Sequence, residues 1–405
     1  FTIKSLPSGL FQAAQNDHSD QTGYESVWIR DNILVAHAPY VCGQADAAVQ
    51  VVRALANFLQ TQRSKMDAII SDPSLADEVM DRPHIRFDGV DMKEKDQQWD
   101  HAQNDALGYF IWLFAKLANE QVLKPGADDL ALLGHLLRYM DAIKYWQDPD
   151  SGHWEEVRKI AGSSIGVVVA ALKEMQKPGK SGRPFENTLQ EQLEENVFKR
   201  LIAQGEQAMK QILPLECTEP ELGKYRTVDA ALLFLIYPLE VVHAPMAYLI
   251  THNVWTHLLR EHGIKRYPGD SFYCRNFESK MEALDSNPTQ DSGLAVHERD
   301  ALLEPGTEAQ WCIFDSILSI IHGKGWLRTG DRNLLELQTY HWNRTLGFLT
   351  DEDSPYGGLK CPELYYEENG VWQTSRTTPL AWGQANLRLA AHWMEKSLEA
   401  FEGTS

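Results

Sequence analysis

Apolar residues recur at helical spacing through most of this chain. Leu133, Leu136, Leu137 and Met140 follow the i, i+3, i+4, i+7 pattern of a single helix face. Residues 104–119 are apolar on most sides, which predicts a buried helix. No stretch alternates apolar and polar residues clearly enough to predict a strand. The pattern therefore predicts a protein built from helices.

Further helices are predicted between segments that are rich in Gly, Pro, Asp and Ser. A helical stretch covers 32–70 with a break at Gly43, and Ser163 or Ser164 is expected to cap a helix that runs to about Met175. The remaining predicted helices span 186–213, 227–242, 245–262, 306–322, 331–349 and 380–400.

Three long loops separate these helices, at 71–102, 264–305 and 350–379. Long loops within a compact domain are usually functional or disordered. The helices come mostly in sequential pairs, and no change of composition marks a domain boundary. We therefore predict one catalytic domain over residues 1–405, with an all-α fold: an (α/α)6 barrel, a double ring of paired helices with the long loops at one end.

Composition and charge limit the possible partners. The 405 residues are 43% hydrophobic and 23% charged, as in ordinary soluble globular proteins, and the net charge of -19 argues against nucleic acid or an anionic membrane as partner. The most apolar run, 230–242, is too short to span a bilayer. Five scattered cysteines without CxxC spacing suit reduced thiols. We expect a cytoplasmic protein.

Two loops carry candidate catalytic carboxylates. Glu155 and Glu156 follow Trp154 in a turn rich in Asp, Pro, Ser and Gly, and Glu363 follows Pro362 in a distant loop. Glycoside hydrolysis needs two carboxyl groups, one acting as acid and one as base or nucleophile. A neighbouring charge and an apolar indole would both raise a carboxyl pKa, which suits a general acid. Taken singly, each glutamate fits an ordinary solvated charge better than a catalytic role.

Other polar residues are open to two interpretations. Arg30 and Asp31 could form a clamp for sugar hydroxyls; the alternative is a salt bridge or a helix cap by Asp31. Arg266 opens the 264–305 loop as a ligand contact or as a surface arginine. Twelve tryptophans suit sugar stacking or core packing. No HExxH, phosphate-loop or G-x-S-x-G motif occurs, so we predict neither a metal nor a cofactor.

These motifs occur in the order seen in glycoside hydrolase family 15, the glucoamylases, glucodextranases and related α-glucosidases, and the chain resembles that family from about Leu6 to Trp393. The carriers are 24–31, Trp99 with 103–108, 154–157 with 162–164, 266–268 and 362–363. The chain also resembles the amino-terminal domain of phosphorylase kinase α and β subunits, through 6–10, 154–155, 362–366 and 382–384.

The first resemblance implies an (α/α)6 barrel and an inverting mechanism. By position in the motifs, Glu155 would be the acid and Glu363 the base, with the two carboxyls roughly 6.5–9.5 Å apart. Glu156 would bind the sugar on the leaving-group side. The other implied contacts to the terminal glucose are Arg30, Asp31, Trp99, Trp154 and Arg266.

Departures from the family pattern narrow the expected substrate. Gly152 stands where glucoamylases often have Asp, and the chain has no recognisable starch-binding module. We therefore expect a small soluble α-glucoside or oligosaccharide rather than raw starch. The second resemblance keeps open a non-hydrolytic sugar-binding or regulatory domain. A trehalase-like hydrolase or a phosphorylase is a further alternative.

Overall fold

A computed structural model describes residues 3–14, 23–182, 185–189, 196–221, 223–283 and 299–403. Its helices are α1 (Ile29–Val41), α2 (Ala45–Thr61), α3 (Arg63–Ser71), α4 (Asn104–Asn119), α5 (Ala127–Ala142), α6 (Gly162–Gln176), α7 (Val197–Ile212), α8 (Ala244–Leu258), α9 (Phe277–Ala283), α10 (Ile313–Thr329), α11 (Arg332–Gly347) and α12 (Ala381–Glu402). Short 3₁₀ helices lie at Pro73–Asp77, Val79–Asp81, Gly152–Trp154, Phe185–Thr188 and Ala230–Leu235.

Six helical segments of this described part pack side by side in a closed inner ring. The order of contacts around the ring is α1, α4, α6, the 3₁₀ helix Ala230–Leu235, α10, α12 and back to α1. The fourth place is thus taken by a 3₁₀ helix, where the apolar pattern predicted an α-helix over 227–242. Its residues are almost fully buried, so the pattern reported burial correctly but not the type of helix.

The helices of an outer layer alternate along the chain with those of the inner ring. α2 packs on α1, α5 on α4, α7 on α6, α8 on Ala230–Leu235 and α11 on α10. Each connection returns the chain to the next inner position, which is the pairing expected of an (α/α)6 barrel. The predicted double ring is therefore confirmed. Within the described ranges, no helix combines the length and apolar character needed to cross a membrane.

Strands that the sequence pattern did not predict join the loops at one end of the barrel. They are β1 (Val27–Trp28), β2 (Arg86–Phe87), β3 (Leu259–Arg260), β4 (Gly263–Ile264), β5 (Gln310–Trp311), β6 (Leu364–Glu368) and β7 (Val371–Thr374). β3 to β7 form one antiparallel sheet in sequence order, and β1 pairs with β2. None of these strands was predicted, because most of them have two residues and show no alternation, and the all-α class stands.

The start of α6 corrects another prediction. Neither Ser163 nor Ser164 is the N-cap; the helix begins at Gly162, and Ala161 supplies no side-chain cap. Glu216, from a distant segment, does so instead. Its carboxylate accepts from the Ser163 N–H at 3.0 Å, and its carbonyl accepts from the Gly162 N–H at 2.7 Å. The helix end is thus satisfied by tertiary structure rather than by its own sequence.

Other boundaries differ by a few residues. α8 begins at Ala244, with Pro245 in its first turn, where its missing N–H costs no helical bond. Of the predicted helix 186–213, residues 197–212 are helical and 190–195 lie outside the described part. The α1 to α2 connection turns at Gly43, whose φ of +83° favours glycine, as the break predicted.

Close packing of the inner ring should make Gly166 intolerant of a larger side chain. A Cβ at Gly166 would lie 2.4 Å from Leu235, which is fully buried in the neighbouring 3₁₀ helix. We expect Gly166→Ala to lower the free energy of unfolding by about 1–3 kcal/mol, because the core must shift to admit it. Gly347→Ala is the matched control, since its Cβ would meet nothing within 4 Å. Equal urea midpoints for both variants would contradict this packing.

Candidate active site

A pocket with about 760 Å³ of open space lies where the amino-terminal ends of the inner ring meet. Seven of the eight predicted site residues line it, namely Arg30, Asp31, Trp99, Trp154, Glu155, Arg266 and Glu363. Other lining residues include Tyr24, Trp28, His153, Phe272, Arg299, Trp311 and Trp382. Helix amino termini present unpaired N–H groups and a positive partial charge, which favours carboxylates at this end of the barrel.

Glu155 is held at one oxygen by three donors. Its Oε1 accepts from Trp28 Nε1 at 2.7 Å and from Gln103 Nε2 at 2.9 Å, and it lies 3.5 Å from Arg30 Nη2. The residue follows the 3₁₀ helix Gly152–Trp154 and has φ of +56°, in the left-handed region. Such strain in a non-glycine residue is concentrated at functional sites, and here it brings the carboxyl into the pocket wall.

Arg30 and Asp31 occupy the first turn of α1. Arg30 is buried and donates from Nη1 to Asp105 at 2.7 Å and to Gln103 at 3.1 Å, so its salt bridge is with Asp105, and the residue also lines the pocket. Burial raises the pKa of Asp31 to about 6, against the opposing charge of Arg30. Asp31 is therefore a weaker acid than an ordinary aspartate, and it faces the pocket.

Glu363 is positioned by the sheet. Its carbonyl accepts from the Cys312 N–H at 3.0 Å, next to the pairing of β5 with β6. Its carboxyl oxygens accept from the Tyr24 hydroxyl at 2.9 Å and the Thr377 hydroxyl at 2.5 Å. Burial raises the pKa of Glu363 to about 7, although both hydroxyls and the charge of Arg266 act in the opposite direction. The group is thus poised to exchange a proton near neutral pH.

Glu156, unlike the preceding residue Glu155, does not line the pocket. Its buried carboxylate contacts Arg226 at 3.2 Å, Arg266 at 3.1 Å and Arg299 at 3.4 Å, together with the Tyr267 hydroxyl. Burial opposes its ionisation, but the three arginines lower its pKa to about 2. The expected sugar contact by Glu156 does not match this placement: an ion cluster occupies its oxygens.

Arg266 is a buried wall residue rather than a surface arginine. It makes two hydrogen bonds to Asp270, at 2.7 and 2.6 Å. Its guanidinium carbon lies 4.4 Å from the centre of the Trp311 ring and 5.3 Å from that of Trp154. Trp154 is fixed in turn by donating from Nε1 to Asp229 at 2.8 Å. The cation is therefore held between indole faces, and its ion pair with Asp270 preserves its charge.

Several buried donors at the pocket wall lack a partner among the described residues. They are Nε of Arg30 and the indole Nε1 atoms of Trp99, Trp311 and Trp382. Each can only donate, so each suits an oxygen acceptor on a ligand. Indole faces, free donors and carboxylates around one pocket together fit a sugar ring, whose hydroxyls accept and donate.

Sequence reasoning missed several residues at the site. Tyr24, Trp28 and Gln103 lie within the recognised motifs, so spacing relative to Arg30 was an available indication. Thr377 and Arg299 lie in stretches interpreted only as loops, and no local pattern distinguishes them. Thr377 follows Glu363 by 14 residues and contacts its carboxyl, and Arg299 lines the pocket from the 264–305 loop.

Residues 2–289 match the model of a family described as glycosyl hydrolases family 15. Among solved structures, a wild-type glycosidase superposes with a TM-score of 0.65 at 17% identity, over 96% of this chain and 92% of that chain. A bacterial glucoamylase complexed with acarbose superposes with a TM-score of 0.61 at 16% identity, over 96% of this chain and 53% of that chain. Both likenesses show the fold.

Two curated proteins are similar in sequence. The uncharacterized lipoprotein YgeQ of Escherichia coli K12 is 31% identical over 172 residues, which are 37% of this chain and 65% of that protein. The liver isoform of phosphorylase b kinase regulatory subunit alpha from Takifugu rubripes is 22% identical over 284 residues, 62% of this chain and 22% of that protein. The chain thus spans less than two thirds of the length of either relative.

Breaking the ion cluster of Glu156 with its three arginines should destabilise the fold. We expect Glu156→Gln to lower the free energy of unfolding at neutral pH by about 3–5 kcal/mol, because three arginines lose a buried counter-charge. Glu367→Gln, which breaks a half-exposed pair with Arg275, should cost about 0–1 kcal/mol. Urea unfolding measures both, and similar losses would contradict the role of burial.

The difference in free energy of unfolding between wild type and Glu156→Gln should change with pH in one direction. Since folding lowers the pKa of Glu156 from its ordinary 4.5 to about 2, its contribution is complete above 4.5 and is lost as the pH falls through about 2. The gap in stability between wild type and Glu156→Gln should therefore narrow as the pH falls below about 4.5. A gap that widened on acidification would contradict the assignment.

Proposed function

Because this chain belongs to glycosyl hydrolases family 15, we propose that it is an inverting, exo-acting α-glucosidase. Its residues 1–405 would form one catalytic domain that releases β-glucose from small soluble α-glucosides or oligosaccharides. One observation carries the proposal: Glu155 and Glu363, far apart in sequence, line the same pocket with different hydrogen-bond partners. Inverting hydrolysis needs two carboxyls in different roles.

Glu155 is the proposed acid. A protonated carboxyl donates from one oxygen and accepts at the other. Because Trp28, Gln103 and Arg30 all direct their donors to Oε1, the proton is favoured on Oε2. In the reaction that proton passes to the glycosidic oxygen as its bond to the anomeric carbon breaks.

Glu363 is the proposed base. In its ionised form it takes a proton from a water molecule, whose oxygen bonds to the anomeric carbon on the face opposite the leaving group. The hydroxyls of Tyr24 and Thr377 hold both carboxyl oxygens, so the base is oriented before substrate arrives. The spacing of roughly 6.5–9.5 Å between the two carboxyls, which leaves room for that water, stays a prediction.

The terminal glucose would be held by the remaining lining groups. Asp31 offers an acceptor, while the Arg30 Nε and the free indole N–H groups offer donors. Lining residues come from both ends of the chain and from the long loops between them. Walls contributed by such separate segments support a pocket that is closed at its base rather than an open groove. A pocket of that form suits the end of a sugar chain, hence exo-action.

A sugar-binding regulatory domain is the alternative, supported by the similarity to the phosphorylase kinase subunit. The two functions differ in whether the pair of glutamates is needed for turnover or only for affinity. As the cellular location we propose the cytoplasm, on the pattern of the cysteines: all five are free thiols, as expected in a reducing compartment.

Removing either carboxyl should abolish turnover and spare binding. We expect Glu155→Gln and Glu363→Gln each to lower kcat by about 10²–10⁴-fold, because general acid and base catalysis contribute factors of that size. Proton NMR of the anomeric signals with maltose, isomaltose or trehalose measures the rate and should show β-glucose first. Calorimetric binding of glucose should persist in both variants.

The exposed Glu352→Gln variant is the control and should match wild type. Unchanged turnover in Glu155→Gln would exclude that residue as the acid. Binding by wild type without any glucose release would favour the regulatory alternative, and α-glucose as the first product would exclude inversion.

The pH dependence of kcat/KM should report the ionisation of Glu363, the proposed base. Glu363 works ionised, and its pKa is about 7, so kcat/KM should fall as the pH drops below about 7. Thr377→Val removes a hydrogen bond that favours the charged form, and should move this acid limb about 1–2 units higher. Thr339→Val, on the exposed face of α11, is the control. A limb that stayed in place in Thr377→Val would exclude Glu363 as its origin.

A further inference from the structure

We propose that two copies of this chain pair through the exposed face of α8. This α8 face consists of Tyr248, Leu249, His252 and Trp255 on α8, together with Tyr340 on α11. Pairing is independent of the proposed hydrolysis, since no residue of α8 or α11 is among the described residues that line the pocket.

The helix α8 is free of charge on every side, yet only one side of it is covered. Its buried residues are Ile250, Val254 and Leu258, and its fifteen residues include no Asp, Glu, Lys or Arg. The outer helices α2, α5, α7 and α11 each carry at least two such charges. A helix that is apolar all round is normally buried all round. The sequence of α8 therefore fits a helix that a partner covers.

The exposed aromatic side chains of α8 form one patch. Tyr248, His252 and Trp255 follow one another at i, i+4 and i+7, so they share one side of the helix. The rings of Tyr248 and His252 stack with their centres 5.8 Å apart, and the Trp255 ring lies 5.2 Å from that of Tyr340. Tyr248 is 67% exposed, Tyr340 41% and Trp255 37%. Single exposed apolar residues are ordinary, whereas a cluster of aromatic rings is typical of a contact surface.

Buried residues fix two of these rings from below. Trp255 and Tyr340 stand edge-on to the buried ring of His341, with centres 5.2 and 5.1 Å away. Nδ1 of His341 lies 2.7 Å from Asp315, which also accepts from Arg344 at 2.8 Å. Side chains that are already ordered lose little conformational entropy when a partner covers them. The α8 face is therefore pre-organised for contact.

The charge of the protein favours a second copy as the partner. Each copy has a net charge of -19, so two copies repel each other in most orientations. Repulsion is weakest where neither copy presents charges, and α8 presents none. A strongly charged partner would find no counter-charge on α8. Aromatic rings can pack against the same rings of a second copy, as the two-fold symmetry of most homodimers requires.

Sedimentation velocity over a range of concentrations tests the pairing. We expect wild type to form a species of twice the chain mass of 46.0 kDa. Added salt should leave the dissociation constant unchanged or lower it, because salt screens the repulsion between two negatively charged copies. Monomeric wild type at about 100 μM, well above the dissociation constants of specific interfaces, would overturn the proposal. A dissociation constant that rose with salt would overturn it too, since it would indicate pairing through opposite charges.

A charge placed in the α8 face should prevent pairing. We expect Tyr248→Glu to raise the dissociation constant at least about 100-fold, because like charges then meet across the contact. Tyr225→Glu is the matched control: Tyr225 is 56% exposed and lies outside the α8 face, so this variant should pair as wild type does. Equal urea midpoints for both variants and wild type would show that folding is intact. Equal pairing by Tyr248→Glu and Tyr225→Glu would overturn the proposal.

Mixing two opposite variants tests whether the α8 face meets itself. Tyr248→Glu and Tyr248→Lys should each fail to pair alone, and an equal mixture should pair, since opposite charges then face each other. A mixture that stayed monomeric would overturn contact of the face with itself. Tighter pairing of Tyr248→Lys alone than of wild type would also overturn it, because the face would then contact an acidic surface. Monomeric wild type that sedimented with phosphatidylcholine vesicles would assign the face to a lipid surface instead and overturn pairing.

Discussion

The charge of Glu156 is buried, and a buried charge is tolerated only when several donors surround it. Arg226, Arg266 and Arg299 supply those donors from three separate segments of the chain. One carboxylate therefore joins the turn after the 3₁₀ helix Gly152–Trp154 to Arg226 and to the 264–305 loop. The walls of the pocket depend on this cluster, because two of its arginines also line the cavity.

Two buried carboxyls at this end of the barrel have pKa values shifted in opposite directions. Glu156 is surrounded by cations, which lower its pKa to about 2. Glu363 is buried and hydrogen-bonded by two hydroxyls, and burial raises its pKa to about 7 although the charge of Arg266 opposes this rise. Burial alone gives no reactivity, and the partners decide whether a buried acid is permanently charged or able to exchange a proton.

The scaffold explains why these groups meet. A closed ring of six segments places their amino-terminal ends together, so the residues just before each helix converge on one pocket. The small sheet from β3 to β7 then carries Glu363 to the site, through the pairing of Trp311 with Leu364. Helices build the floor and the short strands set the position of Glu363.

Sequence alone determined what depends on neighbours along the chain. The helix over 104–119 was predicted with its observed bounds, since helical periodicity is local, and the family resemblance of the motifs indicated the barrel. Tertiary structure decided what depends on distant partners: the two-residue strands, the cap of α6 by Glu216, and the burial of Glu156 beneath Arg299. Such features arise from pairing between remote segments, and neither periodicity nor local motif spacing records that pairing.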